Sequence, residues 1–403
     1  MPRILFVDDE QRILDGLRLS LRGKRKVWDM AFAGGGHEAL DDLAKTPADI
    51  VVSDMRMPRM DGAELLTRVS KACPGAARIV LSGHMDESAA MRAAGVAHRY
   101  LTKPCPAELM EGTLIRTFEL QALLRNEHIR VTLGSAVVLP SSPKLYQELN
   151  RLLASGKASL EAIAAVMEQD MSMSAKVLQL VNTAFFALPR KISSVAQAVS
   201  YLGFGTLRSL VLAHSLFREI SSKDAAAIDQ TQARALATAR IAQRLLRDEV
   251  PRQVAFTAGL LHHIGALAMA IQLPDAQRAI DERVRSGEVP LLDAERAQLG
   301  VTHPEIGAYL LGLWDLPHDI IEAVAGHHAP WDQVSELNIA SAVMIGSALA
   351  EEIQAGPTDP SRPLLPVELP SRLGIEDVIA KIRADFGGTS THAAPGPLEA
   401  SVS

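Results

Sequence analysis

The sequence predicts a doubly wound α/β domain with a five-stranded parallel sheet, followed by a longer all-α domain. Three observations lead there. Short apolar runs alternate with helical patterns through about residue 125. From Pro143 to about Ala350 nearly every segment has helical periodicity, and no run reads as a strand. The 403-residue chain is 48% apolar but only 4% aromatic, which suits a helix-rich protein of roughly two to three domains better than a β-sandwich or a disordered chain.

Arg3 to Val7 is the first strand; it ends in Asp8-Asp9-Glu10, and Ile13, Leu14, Leu17 and Leu21 mark the next helix. Ala31 and Phe32 mark a second strand, Gly34-Gly35-Gly36 a turn, and Glu38 to Ala44 a helix. Ile50-Val51-Val52-Ser53-Asp54 is a buried third strand that meets a Pro/Gly-bounded loop at Asp54. The helix Ala63 to Ala72, the strand Arg78 to Leu81, the helix Ser88 to Ala94 and the strand Arg99 to Leu101 complete the alternation.

In such a sheet the functional crevice lies at the carboxyl ends of the strands, where Asp8, Asp9, Asp54, Ser82 and Lys103 all fall. Converging carboxylates repel unless a hard cation sits among them, and oxygen ligands of this kind suit Mg²⁺. Lys103 and Ser82 offer a cation and a hydroxyl for phosphoryl oxygens. The predicted chemistry is acceptance of a phosphoryl group on Asp54.

These residues resemble the receiver domain of two-component response regulators, a flavodoxin-like fold. The resemblance rests on Asp8-Asp9, Asp54 in a D-x-x-M-P-x-M-D-G context, Ser82, Tyr100, and Lys103 before Pro104. It implies that Asp54 is the phospho-acceptor, that Asp8, Asp9, Asp54 and the backbone carbonyl of Arg56 hold Mg²⁺, and that Ser82, Tyr100 and Lys103 respond to the phosphoryl group. It also implies a cis Lys103-Pro104 peptide and a sensor histidine kinase as partner.

Pro106 to about Arg130 reads as one helix that continues from the first domain as a connector, without the heptad a coiled coil needs. Gly134 to Pro143 is a loop. Twelve helices are then expected, from Lys144 to Glu352, including Ser194 to Tyr201, Gly205 to Phe217 and Gln253 to Gln272. Pro357 to Pro370 reads as a loop, Leu373 to Phe386 as a last helix, and Gly387 to Ser403 as a disordered tail. The expected division is 1–125, a connector over 126–138, a helical domain over 139–352, a loop and helix over 353–386, and the tail over 387–403.

His262, His263, His303, His327 and His328 are candidates to meet at a metal ion, although isolated helical histidines are more often core or polar residues. Their words, Leu260-Leu-His-His-Ile-Gly265, Thr302-His-Pro-Glu-Ile-Gly307 and Gly326-His-His328, resemble the HD-type metal-dependent phosphohydrolases. His263 stands where that pattern has an aspartate; Arg234 and Ser347 fall near the places of two further ligands. An Arg⁺ opposes a bound cation, and lost carboxylates remove the charge a two-metal site needs. Leu139-Pro-Ser-Ser-Pro143, Glu168-Gln-Asp170, Leu178-Gln-Leu-Val-Asn182, Ile192 to Val199 and Leu202-Gly203 resemble the HDOD domain, an HD-related module commonly without catalytic residues. The implied output is protein-protein interaction with an unknown partner; the alternative is a phosphorylation-regulated phosphohydrolase of a nucleotide or cyclic dinucleotide.

A net charge of -6 gives no basic field for nucleic acid. Cys73 and Cys105 lack metal or disulfide spacing, and the first apolar run is too short for a signal peptide. The apolar stretch Ala255 to Leu273 carries His262-His263 and reads as a core helix rather than a membrane span. A cytoplasmic, non-enzymatic regulator is the expectation, with homodimerisation left open.

Overall fold

β-Branched and apolar runs form strands, and the intervals between them coil into helices. In the computed structural model, β1 (Arg3–Val7), β2 (Asp29–Ala33), β3 (Ile50–Asp54), β4 (Ala77–Ser82) and β5 (Arg99–Thr102) make a parallel sheet in the order β2-β1-β3-β4-β5. The residues described are 1–83, 93, 95–124, 127–134, 139–156, 158–183, 188, 190–212, 218–219, 225–287, 289–355 and 364–387. Apart from Ala93, the expected helix from Ser88 to Ala94 lies outside them, as does the tail beyond Gly387.

Strand alternation sends Ile4, Phe6, Ile50 and Val52 into one core and Leu5, Val7 and Val51 into another on the opposite face. β3 is buried along its whole length, as expected of a central parallel strand covered on both sides. Between the strands run α1 (Gln11–Ser20), α2 (Gly36–Lys45) and α3 (Gly62–Ala72).

The expected single connector helix is instead two, α4 (Ala107–Leu123) and α5 (Glu127–Gly134). Leu124 leaves helical geometry (φ -94°, ψ 82°) and is buried. Gln121 donates to the carbonyls of Asp49 and Gly75, and Arg130 ion-pairs with Asp49 at 3.1 Å. Gln121 thus ties the end of α4, and Arg130 ties α5, to the foot of the sheet on either side of the break.

β6 (Pro140–Ser141) then leads to α6 (Pro143–Ser155), α7 (Leu160–Met167), α8 (Met171–Val181) and α9 (Val195–Leu212). β7 (Arg218–Glu219) follows, then α10 (Ala225–Leu245), α11 (Glu249–Leu261), α12 (Ile264–Gln272), α13 (Pro274–Arg285), α14 (Leu291–Leu299), α15 (His303–Leu313), α16 (His318–Gly326) and α17 (Ile339–Ala355). The second domain is all-α as expected, and β6 and β7 are a minor addition that pairs in parallel; two residues each are too few to show a period-2 pattern. Within α9 two helices meet at Gly203, whose backbone is not helical (φ 71°, ψ 167°), as expected from the sequence; residues 213–217 of the second lie outside the described residues. The apolar run Glu249–Gln272 is broken at His262-His263, and 72% of its most apolar window is buried inside the protein, as in a core helix. After α17 come α18 (Leu369–Leu373) and α19 (Glu376–Gly387), so the last helix starts three residues later than expected, after the left-handed Gly374.

One apolar core runs without interruption from the sheet through Met110, Leu114, Ile129 and Leu133 into the helical body. Leu120 of α4 lies over Gly312 of α15. Arg99 on β5, only 6% exposed, donates to the Gly312 carbonyl at 3.0 Å and pairs with Asp315 at 2.7 Å. Lys191 shares Asp315 at 2.9 Å. Gln179 of α8 donates to the carbonyls of Ala97 and His98 just before β5.

Every residue of α8 is buried, Lys176 included, and its ammonium donates to Gln179 at 2.8 Å. Burial pushes the Lys176 pKa down to about 7. An unfolded lysine titrates near 10.4, so between these values the unfolded chain binds a proton that the folded chain does not. Stability therefore rises with pH across that window. Lys176→Met keeps an unbranched side chain one atom shorter and is expected to stabilise the fold at pH 7 by on the order of 2 kcal/mol. Urea unfolding at pH 7 and 9.5 checks this: the gain must shrink at the higher pH, and a variant less stable at both would refute it.

Candidate functional site

Register brings the strand ends together: Val7 lies beside Ser53, Asp54 beside Leu81, and Ser82 beside Thr102. Asp8 follows β1, Asp54 closes β3, and Lys103 follows β5 through a cis Lys103-Pro104 peptide. The Lys103 ammonium bridges two carboxylates, 2.6 Å from Asp8 and 2.5 Å from Asp54. Asp8 is 2% and Asp54 7% exposed, whereas Asp9 is exposed beside them. The Arg56 N–H donates to Asp54 at 2.8 Å, and the Glu10 N–H to Asp8 at 3.0 Å.

Local sequence builds this pocket. Asp61 caps α3 by accepting from the Glu64 N–H at 2.8 Å. Gly62 lets the helix start against the end of β3, since a Cβ there would lie 2.2 Å from the Asp54 carbonyl oxygen.

Burial pushes the Asp54 carboxyl above its ordinary range, against the pull of Lys103; the charge of Asp8 adds to the rise. Burial alone would lower Lys103, but Asp54 and Asp8 outweigh it and raise its pKa. One ammonium therefore faces two enclosed carboxylates, with Asp9 adjacent. A net negative, all-oxygen donor set fits Mg²⁺. The Tyr100 hydroxyl is enclosed without a hydrogen-bond partner among the described residues, and burial pushes its pKa up. The Ser82 side chain lies outside the described residues; its backbone ends β4 as expected.

In the helical body, His263, His303, His327 and His328 present ligand atoms that all lie within 4.8 Å of one another. His262 is not in this group: its Nδ1 sits 2.6 Å from the Gly259 carbonyl and its Nε2 3.4 Å from the Ser347 hydroxyl. Burial, and then neighbouring imidazoles, push His262, His263 and His327 well below the usual imidazole range; His328 is lowered to about 4 for the same reasons. Arg234 adds to the lowering of His263, which locates it beside the cluster.

Sequence reasoning missed Glu295, whose buried carboxylate sits 2.8 Å from His303 Nδ1. No spacing signal links it to the histidine words. It also missed Arg99 and Asp315, because contacts between domains leave no periodic trace.

The chain matches the family model for the response regulator receiver domain over residues 4–114 and that for the HDOD domain over residues 139–330. An uncharacterized transcriptional regulatory protein, YesN of Bacillus subtilis, is 41% identical over 125 residues, 28% of this chain and 32% of that protein. An uncharacterized protein of Treponema pallidum is 27% identical over 195 residues, 47% of this chain and 37% of its own. The chain spans about a third of the length of these curated relatives. The crystal structure of the MmoQ response regulator from Methylococcus capsulatus is similar in fold, with a TM-score of 0.51 at 23% identity, over 62% of this chain and 98% of that one.

Proposed function

Because the chain consists of a response regulator receiver domain joined to an HDOD domain, we propose that Asp54 accepts a phosphoryl group from a sensor histidine kinase and that the HDOD domain answers by binding another protein. The observation that carries this reading is Lys103 spanning Asp8 and Asp54 at the carboxyl edge of the sheet. A carboxylate oxygen of Asp54 attacks phosphorus, and the donor's phosphorus bond breaks with its electron pair leaving on the donor.

Asp8, Asp9 and Asp54, with the Arg56 carbonyl, would hold Mg²⁺, which supplies charge neutralisation on the phosphoryl oxygens. Lys103 is already within reach to transfer its ammonium from the carboxylates to a phosphoryl oxygen, and Ser82 is the hydroxyl donor from the adjacent strand. The added charge and acceptor oxygens then draw on β5, where Tyr100 is enclosed without a partner among the described residues. Arg99 on the same strand grips the HDOD domain, which gives the change a short route outward. HDOD domains are generally non-catalytic, and Arg234 and Ser347 beside the histidines add no carboxylate.

The test uses the full chain with a small acyl phosphate and Mg²⁺. Intact mass should show one added phosphoryl group per chain, labile to hydroxylamine and mapped to Asp54. No uptake, or uptake at another residue, would refute the reading.

A further inference from the structure

Two histidines in the helical body face each other in an arrangement that needs a positive charge. His327 Nδ1 lies 2.7 Å from the Val324 carbonyl, which can only accept, so Nδ1 carries the proton and Nε2 a lone pair. His303 Nδ1 lies 2.8 and 3.0 Å from the two oxygens of Glu295, so that nitrogen also carries a proton. The two Nε2 atoms are 3.1 Å apart. With both rings neutral, two lone pairs point into the same small space, which is repulsive unless a cation sits there.

The surroundings identify the cation. His263 and His328 bring two more nitrogens, and all four ligand atoms lie within 4.8 Å. His303 is 1% and His327 3% exposed, while His263 is half-buried and His328 exposed, so the cluster has a closed floor and is open on the His328 side. Four imidazoles, with no carboxylate joining them among the described residues, disfavour Mg²⁺ and Ca²⁺ and suit Zn²⁺ or a similar transition metal. Glu295 stands behind His303 as the carboxylate that orients a ligand histidine and balances charge, and its second oxygen accepts from the His303 N–H at 2.8 Å.

We propose that His263, His303, His327 and His328 form a mononuclear transition-metal site, with Glu295 as the positioning residue. Its place in the fold indicates its use. His263 lies between α11 and α12, His303 opens α15, and His327 and His328 follow α16. One ion there pins three separate segments of the HDOD domain. Four nitrogens fill a tetrahedral shell and leave no position to activate water, so the site is structural. A second metal is disfavoured by Arg234, whose positive charge acts on His263. The inference does not depend on chemistry at Asp54.

Chelator-stripped full-length protein, titrated with Co²⁺, is expected to bind one equivalent and develop the strong visible absorption of tetrahedral Co²⁺, which Zn²⁺ then displaces. His303→Gln and His327→Gln should each abolish the absorption. His262→Gln, outside the group, should retain it and guards against general unfolding; circular dichroism of all variants provides a second guard. Glu295→Gln should keep the stoichiometry but weaken binding by about 10- to 100-fold. Failure of the folded wild-type chain to take up Co²⁺ would mean that a shared proton resolves the contact, and would overturn the proposal. So would unchanged absorption in folded His303→Gln and His327→Gln.

Discussion

Asp54→Asn is expected to take up no phosphoryl group and to be more stable than the parent at neutral pH. The acceptor oxygen is lost, so uptake from an acyl phosphate falls to background. The gain in stability follows from charge: two enclosed carboxylates face one ammonium, and burial has already raised the Asp54 pKa. A raised carboxyl pKa means that the folded state holds its proton more tightly than the unfolded chain. Stability is then lost as pH climbs from the unfolded value near 3.9 through the folded one, and the deficit persists above it. Asparagine removes that deficit, worth about 1 kcal/mol, and leaves Lys103 paired with Asp8. Urea unfolding in chelator at pH 7 reads the gain, which must shrink towards pH 3.5. A variant less stable at pH 7 would show that Lys103 outweighs burial.

Gly265→Ala is expected to cost about 4 kcal/mol, at the upper end for a single substitution. A Cβ at Gly265 would lie 2.0 Å from the His303 carbonyl oxygen and 2.6 Å from the Gly307 nitrogen. These are backbone atoms of α15 and cannot rotate away, so α12 and α15 must separate. The same crossing sets His263 against His303, whose rings are 5.4 Å apart. A lower denaturation midpoint, or loss of soluble protein with recovery in a sucrose-stabilised preparation, is the expected result. A loss under about 1 kcal/mol would show that the helices can shift cheaply.

The receiver site was legible because a parallel sheet puts all its strand ends on one edge. Asp8, Asp54 and Lys103 could therefore be grouped from strand order alone, although they span most of the first domain. The Lys103 bridge itself was not legible, since it depends on side-chain reach. The break at His262-His263 was hidden because apolar residues continue on both sides of it. The break at Leu124 was hidden because its cause lies in Asp49 and Gly75, far away in sequence. Glu295 was missed for a similar reason: it belongs to α14, and only packing brings it to His303. The histidine words marked residues of which the structure gathers four, and also His262, whose two ring nitrogens are turned to Gly259 and Ser347.

β5 is only four residues long, yet Arg99 at its start holds Gly312 and Asp315 while Lys103, just past its end, holds Asp8 and Asp54. Coupling between two such grips has no preferred direction, because each ligand must alter the other's affinity by the same factor. If phosphorylation loosens Arg99 from Asp315, then any protein that captures the helical body with that ion pair open must in turn favour the phosphorylated form. The listener would thereby set how long the message lasts.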